Sequence, residues 1–310
     1  MLLYFRDEAA AALRLARVLG LPAAEIESHR FPDGELRLRL PLRQPGDRLP
    51  TDVLLFRGLV QPNDKLVELL IVARAARSHG ARRLGLVAPY LAYMRQDMEF
   101  NPGEAVSQRI VGAFLADLFD AVVTVDPHLH RITELSEAIP RIPAMALSAA
   151  PALGAHVARE RPGALLVGPD EESAQWVSRA ARQQGLAHAV CRKVRRGDRD
   201  VQVALPATLG PSALHDRPVV LMDDMASTGH TMAEAARLLL AAGARSVDVA
   251  VTHAMLTPDA PALLRSVGVG QVWSSDSVQH ASNVVQLAEL MGTAVRGLPW
   301  KWGAEHAAVG

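Results

Sequence analysis

A chain of 310 residues, 49% of them hydrophobic and only 4% aromatic, can bury more than one core and suits helices packed on parallel strands better than an aromatic-rich sandwich. Its 33 basic and 33 acidic residues cancel, so no one-signed field spans the surface, and neither nucleic acid nor acidic lipid is an expected partner. Cys191 is the sole cysteine, which excludes an internal disulfide framework and a cysteine-based zinc site and makes a reducing, cytoplasmic setting the expectation.

From the N-terminus, MLLYFRDEAAAALRLARVLG puts Arg6, Asp7 and Glu8 where a secretory leader needs its apolar run. No later segment reaches 18 uncharged apolar residues, so no membrane span is expected. RFPDGE at 30–35 reads as a tight turn entering the alternating strand ELRLRL. VLLFRG at 53–58, LGLVAPY at 84–90 and AVVTVD at 121–126 are short apolar runs of buried-strand type. Helical spacing fills 62–79 and 104–119 between them, each beginning near Pro or Gly. This βαβ rhythm is interrupted over 140–163 by the proline-rich segments IPRIPAM and RERPG, read as irregular chain and as the domain boundary. LLVGPD at 165–170 restarts it, followed by a helix at 171–184 and strands near 187–193 and 200–205. The strand PVVLMDD at 218–224, a helix over about 228–242 and the strand SVDVAVTH at 246–253 complete the second half. The expectation is an α/β chain of two domains, 1–145 and 146–310, each a mainly parallel sheet flanked by helices, with no short-period repeat.

The segment VVLMDDMASTGHTMAEAARLLLAAGA at 219–244 joins a strand ending in two carboxylates, a small-residue loop and an amphipathic helix. Backbone N–H groups at the helix start, with the hydroxyls of Ser227, Thr228 and Thr231, suit an anion backed by the helix dipole. Gly229 permits close backbone approach or positive φ, and Asp223 and Asp224 can accept hydrogen bonds from vicinal hydroxyls of a sugar. A sugar phosphate fits that set. The plain alternative is a Thr-capped helix after a solvated acidic strand end.

Four further segments are individually weak. RFPDGE alone is a turn; Arg95, Gln96 and Asp97 in PYLAYMRQDMEFNPGEAVS, 89–107, alone are loop surface. VDPHLH at 125–130 sets Asp126, His128 and His130 at a strand's carboxyl end, where α/β sheets place ligands. CRKVRRGDRDVQV at 191–203 alone is a solvated basic loop. Taken in order, and with GPDEES at 168–173, the set resembles the ribose-phosphate diphosphokinases, also called phosphoribosyl diphosphate synthetases. DPHLH and the STG of DDMASTGHT are similar to their archaeal-type branch. The 219–244 loop alone is shared with type I phosphoribosyltransferases, which leave the first half of the chain unexplained.

That resemblance implies two phosphoribosyltransferase-like domains, the first binding ATP and the second ribose 5-phosphate. It implies ATP contacts from Phe31, Asp33, Glu35, Arg95, Gln96 and His128, and sugar-phosphate contacts from Asp223, Asp224, Ser227, Thr228, Gly229 and Thr231. It implies Lys193 and Arg195 as catalytic cations on a loop, and Mg²⁺ held near Asp170, Asp126 and His128. It also implies a homo-oligomer built from dimers, because the family sets the FxDGE turn and the RQD loop on different subunits. Two departures stand out: GPDEES lacks the paired glycines common after its Asp, and His230 occupies a variable position. Neither a G-x-x-x-x-G-K-[ST] loop nor a strand-linked G-x-G-x-x-G occurs, so neither a P-loop nor a nicotinamide fold is indicated. A non-catalytic regulatory homologue is the competing reading from outside enzymology.

Overall fold

The computed structural model describes residues 1–129, 131–195, 201–206, 209 and 211–300, with side chains left aside at 193–195, 201–203 and 211–212. The chain divides into two compact units, Met1–Leu147 with the segment from Leu287 onward, and Ser148–Gln286.

The first unit opens with β1 (Leu2–Phe5), α1 (Ala9–Leu19) and the hairpin β2 (Ala23–Arg30) and β3 (Leu36–Arg39). It continues through β4 (Asp52–Phe56), α2 (Pro62–Ser78), β5 (Arg83–Ala88), α3 (Ser107–Leu118), β6 (Ala121–Val125) and β7 (Ala144–Leu147). The second holds α4 (Ala150–Glu160), β8 (Leu165–Gly168), α5 (Ala174–Gln184), β9 (Ala187–Val190), β10 (Arg192–Arg195), β11 (Val201–Ala204) and α6 (Pro211–Leu214). It ends with β12 (Pro218–Ala226), α7 (His230–Ala241), β13 (Ser246–Ala254), α8 (Ala260–Ser266), β14 (Val269–Ser275) and β15 (Asn283–Val285). The last described helix, α9 (Ala288–Arg296), returns to the first unit and packs on α1.

The expected α/β architecture is present, with parallel sheets whose central strands are largely apolar because both faces are covered. Every residue of β6 is buried, as are Val53–Phe56 of β4. The first sheet runs β3-β2-β1-β4-β5-β6-β7 and the second β15-β14-β13-β12-β8-β9. Leaving out β3, which pairs antiparallel with β2, both read as one order: second strand, first strand, then third onward. The kinship of the two halves, invisible as a sequence repeat, is therefore topological. It extends to one local match, since Leu2-Leu3 and Asp7-Glu8 have the same spacing as Leu165-Leu166 and Asp170-Glu171, and β1 and β8 are each followed by a short 3₁₀ turn.

The stretch expected to be irregular, 140–163, is corrected by β7 and α4. Its prolines stand where regular structure tolerates them: Pro143 precedes β7, and Pro151 falls in the first turn of α4, where its missing N–H has no helical partner to lose.

Candidate active site

In an open parallel sheet, ligands gather beyond the carboxyl ends of the strands where the winding direction reverses. In the second unit that switch point lies between β8 and β12. Gly168 ends β8, and a Cβ there would stand 2.1 Å from Ser173 Oγ, so glycine lets the following turn fold back tightly. Ser173 Oγ donates to the Asp170 carbonyl at 2.5 Å, and Asp170 Oδ1 accepts from the Glu172 N–H at 3.1 Å. The absence of paired glycines thus leaves Asp170 in a defined 3₁₀ turn, 7% exposed.

On the facing strand, β12 runs through Asp223 and Asp224 to Ala226, two residues beyond the expected end. Asp224 is 2% exposed, and its N–H donates to Asp223 Oδ1 at 2.9 Å. Burial, then the charges of Asp224 and Asp170, pushes the Asp223 carboxyl well above the usual carboxylate range. Asp170 and Asp224 are thus close enough to act on Asp223, an arrangement that favours a donor-rich ligand. Cys191 lies beside them, its thiol pushed up to about 11 by burial and the charge of Asp170, which makes it an inert thiol.

After β12 the exposed Ser227 and Thr228 lead into Gly229 at φ 78°, the N-cap of α7, with no side-chain cap. The first N–H groups of α7 are thereby left uncapped beside the exposed Thr231. Met255 N–H donates to the Ala226 carbonyl at 2.9 Å and Thr257 N–H to that of Ser227 at 3.1 Å, so the chain after β13 braces the loop. Asp170, Asp223, Asp224 and the 227–231 loop are brought to one switch point. Lys193 and Arg195 lie on β10, opposite Val203 and Val201 of β11, and their side chains fall outside the described residues.

In the first unit the equivalent switch point, between β1 and β4, is filled by the protein itself. Arg57, 4% exposed, bonds Asp7 at 2.6 Å, Glu8 at 3.0 Å and Glu68 at 2.6 Å, and lies 4.3 Å above the Phe5 ring. Burial pushes the Glu8 and Glu68 carboxyls up, against the pull of Lys65 and Arg57 on Glu8 and of Arg57 on Glu68. A groove of about 680 Å³ opens beside this cluster, lined by Phe5, Glu27, His29 and Arg39 among others, but by none of the residues expected to bind ATP.

Those residues fall in two places. Phe31, Asp33 and Glu35 form the exposed tip of the β2–β3 hairpin, closed by Phe31 N–H to Glu35 O at 2.8 Å and by Glu35 N–H to Asp33 Oδ1 at 3.1 Å. Arg95 and Gln96 lie in the loop after β5, and Asp126 and His128 follow the adjacent β6. Asp126 is buried at φ 37°, a strained conformation of the kind that collects at functional strand ends. β1 and β4 separate β2 from β5, so the hairpin and the Arg95 loop start roughly 14 Å apart in the sheet. Gln96 is occupied locally, its amide donating to Glu104 and to the Met98 carbonyl at 3.1 Å each. Sequence reasoning passed over Glu104, which gathers this loop, and Arg131, which bonds Asp97; the only signal for Arg131 was its place directly after DPHLH. Among the described residues no group of three or more His, Cys, Asp or Glu is disposed to hold a metal.

Two doubly wound units, with paired acids and an uncapped helix start at the second switch point, define an α/β protein of sugar-phosphate-binding type. Two family models match accordingly: the N-terminal domain of ribose phosphate pyrophosphokinase over residues 1–118, and the phosphoribosyl transferase domain over 138–265. The chain is 35% identical to the ribose-phosphate pyrophosphokinase of Methanopyrus kandleri over 288 residues, 92% of this chain and 94% of that one. It is 33% identical to that of Methanosarcina acetivorans over 290 residues, 93% and 96% of the two chains. The crystal structure of phosphoribosylpyrophosphate synthetase from Mycobacterium smegmatis has the same fold, with a TM-score of 0.79 at 24% identity, covering 96% of this chain and 97% of that one. The chain belongs to the ribose-phosphate pyrophosphokinase family, and the expected likeness to its archaeal members holds.

Proposed function

We propose that this chain transfers the β,γ-diphosphoryl group of ATP to the anomeric hydroxyl of ribose 5-phosphate, giving phosphoribosyl diphosphate and AMP. The carrying observation is the second switch point, where Asp223 and Asp224 precede an uncapped helix start, in a chain whose first unit matches the N-terminal domain of the synthetases. In this reading the α7 N-terminus and the hydroxyls of Ser227, Thr228 and Thr231 hold the 5-phosphate. Asp223 and Asp224 accept hydrogen bonds from the ribose hydroxyls.

The anomeric oxygen forms a bond to the β-phosphorus as the bond from that phosphorus to the bridging oxygen breaks, AMP leaves with that oxygen and its electron pair, and the hydroxyl proton is released to solvent. Little covalent work falls to the protein, so positioning and charge neutralisation dominate. Lys193 and Arg195 neutralise the transferred group and the departing AMP. Arg95, Gln96 and His128 hold the nucleotide, joined by Phe31, Asp33 and Glu35 of a neighbouring subunit's hairpin. Mg²⁺ would suit the oxygen donors of Asp170 in the second unit and, taken separately, of Asp126 near His128 in sequence in the first, and would supply charge neutralisation on the polyphosphate. A cation beside Asp223 would offset its burial and the neighbouring charges of Asp224 and Asp170, which together raise its carboxyl. A homo-oligomer is supported by α2 and α3, whose Val67, Leu70 and Ile110 are 47%, 40% and 59% exposed. The cytoplasm suits a chain with one buried thiol, and no described helix is long and apolar enough to cross a membrane.

Phosphorus NMR of the protein with MgATP and ribose 5-phosphate tests the reading. AMP and an anomeric diphosphate are expected together, and Lys193→Ala should lower kcat roughly 10²-fold, the scale of one lost transition-state donor. Absence of both products across metals and phosphate concentrations would leave the regulatory homologue as the better account; an unchanged kcat would remove Lys193 from the mechanism.

A further inference from the structure

Neighbouring parallel strands β5 and β6 send out two loops from their carboxyl ends, 89–106 and the segment beginning at Asp126. The first is gathered from within: Glu104 accepts from the Phe100 N–H at 3.1 Å and from the Asn101 amide at 2.5 Å, and Gln108 donates to the Met94 carbonyl at 3.1 Å. Arg131 ties it to the second. Its guanidinium donates to Asp97 Oδ1 at 2.6 Å and lies 5.4 Å from the centre of the Phe100 ring. The two partners are in unequal environments, since the Arg131 side chain is 51% exposed whereas that of Asp97 is 2% exposed. The second oxygen of Asp97 is also buried and has no hydrogen-bond partner. Asp97 is next to Gln96 and two residues from Arg95, and Arg131 is three residues beyond His128.

We propose that Arg131 is a positioning residue for the nucleotide: by holding the buried Asp97 carboxylate it sets the Arg95–Gln96 segment against the strand end that bears Asp126 and His128. The inference rests on the reading of this unit as the ATP-binding one. A buried carboxylate with one charged partner is tolerable, while the same carboxylate with none must be carried back to water, and here it would take its loop with it. Removing Arg131 is therefore worse for the loop than removing both charges. A surface ion pair of ordinary kind would show no such order.

The experiment compares wild type, Arg131→Ala, Arg131→Lys and the double variant Asp97→Asn/Arg131→Ala in the full-length chain. Calorimetric affinity for a non-hydrolysable MgATP analogue, KM for MgATP, KM for ribose 5-phosphate and the melting temperature are measured for each. Arg131→Ala should weaken nucleotide affinity and raise KM for MgATP by about tenfold, with KM for ribose 5-phosphate unchanged within about twofold. Arg131→Lys and the double variant should each regain at least half of that loss. A double variant worse than Arg131→Ala, or KM values for both substrates rising in parallel with a fall in melting temperature, overturns the proposal, because a general structural role predicts those results. If wild type binds the analogue but forms no phosphoribosyl diphosphate, the proposed activity falls while the affinity series still decides the role of Arg131. A wild-type chain that binds no adenine nucleotide overturns both.

Discussion

Asp223 carries its charge where the surrounding protein least favours one, half-buried and facing Asp224 and Asp170. Its carboxyl is raised in the folded state, so the folded chain binds that proton more tightly than the unfolded chain does. Stability is consequently lost as pH rises from the ordinary carboxylate range through the raised value, and the full cost is present above it. Asp223→Asn should raise the melting temperature of the ligand-free protein at neutral pH by roughly 2–4 °C, the equivalent of about 1 kcal/mol after allowance for partial exposure. The gain should vanish near pH 4, and the same variant should bind ribose 5-phosphate at least tenfold more weakly. Thermal melts across pH check the first part; a gain over wild type no larger at pH 7.5 than at pH 4 would mean that burial and the neighbouring charges do not raise the Asp223 carboxyl. The types and spacing of Asp223, Asp224 and Gly229 made this site readable from the sequence, because paired acids, a φ-permissive residue and a helix start occur consecutively. Arg131 was not readable, since an arginine after a strand end looks the same whether it faces water or a buried carboxylate 34 residues away.

Among elements, the turn from β8 to α5 depends on one missing methyl group. Gly168→Ala would drive Cβ into Ser173 Oγ, which is wholly buried and bonded to the Asp170 carbonyl. A destabilisation of about 1–3 kcal/mol is expected, the usual cost of overpacking a tight core, together with weaker sugar-phosphate binding as Asp170 shifts. Chemical denaturation measures it, and adding Ser173→Ala to Gly168→Ala should restore part of the stability. No recovery would locate the strain elsewhere. The central strands were legible because strands buried on both faces are apolar runs, as in AVVTV of β6. β7 and α4 were not, because proline was weighed as a breaker without regard to position. The hairpin strand β2 also escaped notice: Glu27 to Arg30 are exposed, so no apolar period marks it.

At the scale of the molecule, two units with one winding order differ in what stands at the switch point: Arg57 and its carboxylates in the first, acidic residues of like charge and a glycine-capped helix start in the second. That difference was hidden because the topology repeats while the residues do not. The exposed apolar face of α2 belongs to this scale as well, since a helix apolar on more than its core side needs a covering partner. Val67→Asp combined with Leu70→Asp should reduce the mass measured by light scattering to that of smaller species, with MgATP affinity falling if the hairpin tip of one subunit completes the site of another. An unchanged mass would place the contact between subunits elsewhere.

The helix α9 has a consequence in time. It is made after the whole second unit, yet it packs on α1 so closely that a Cβ on Gly292 would stand 2.5 Å from Val18, and Arg296 donates to the Val18 carbonyl. On the ribosome, the unit begun first is therefore the unit finished last. The inner side of α1, with Leu15 among its residues, waits through the rest of the first unit and all of Ser148–Gln286 for its final cover. The intervening unit is contiguous in sequence and can close on itself in the meantime, so its birth order is the reverse of its place in the chain.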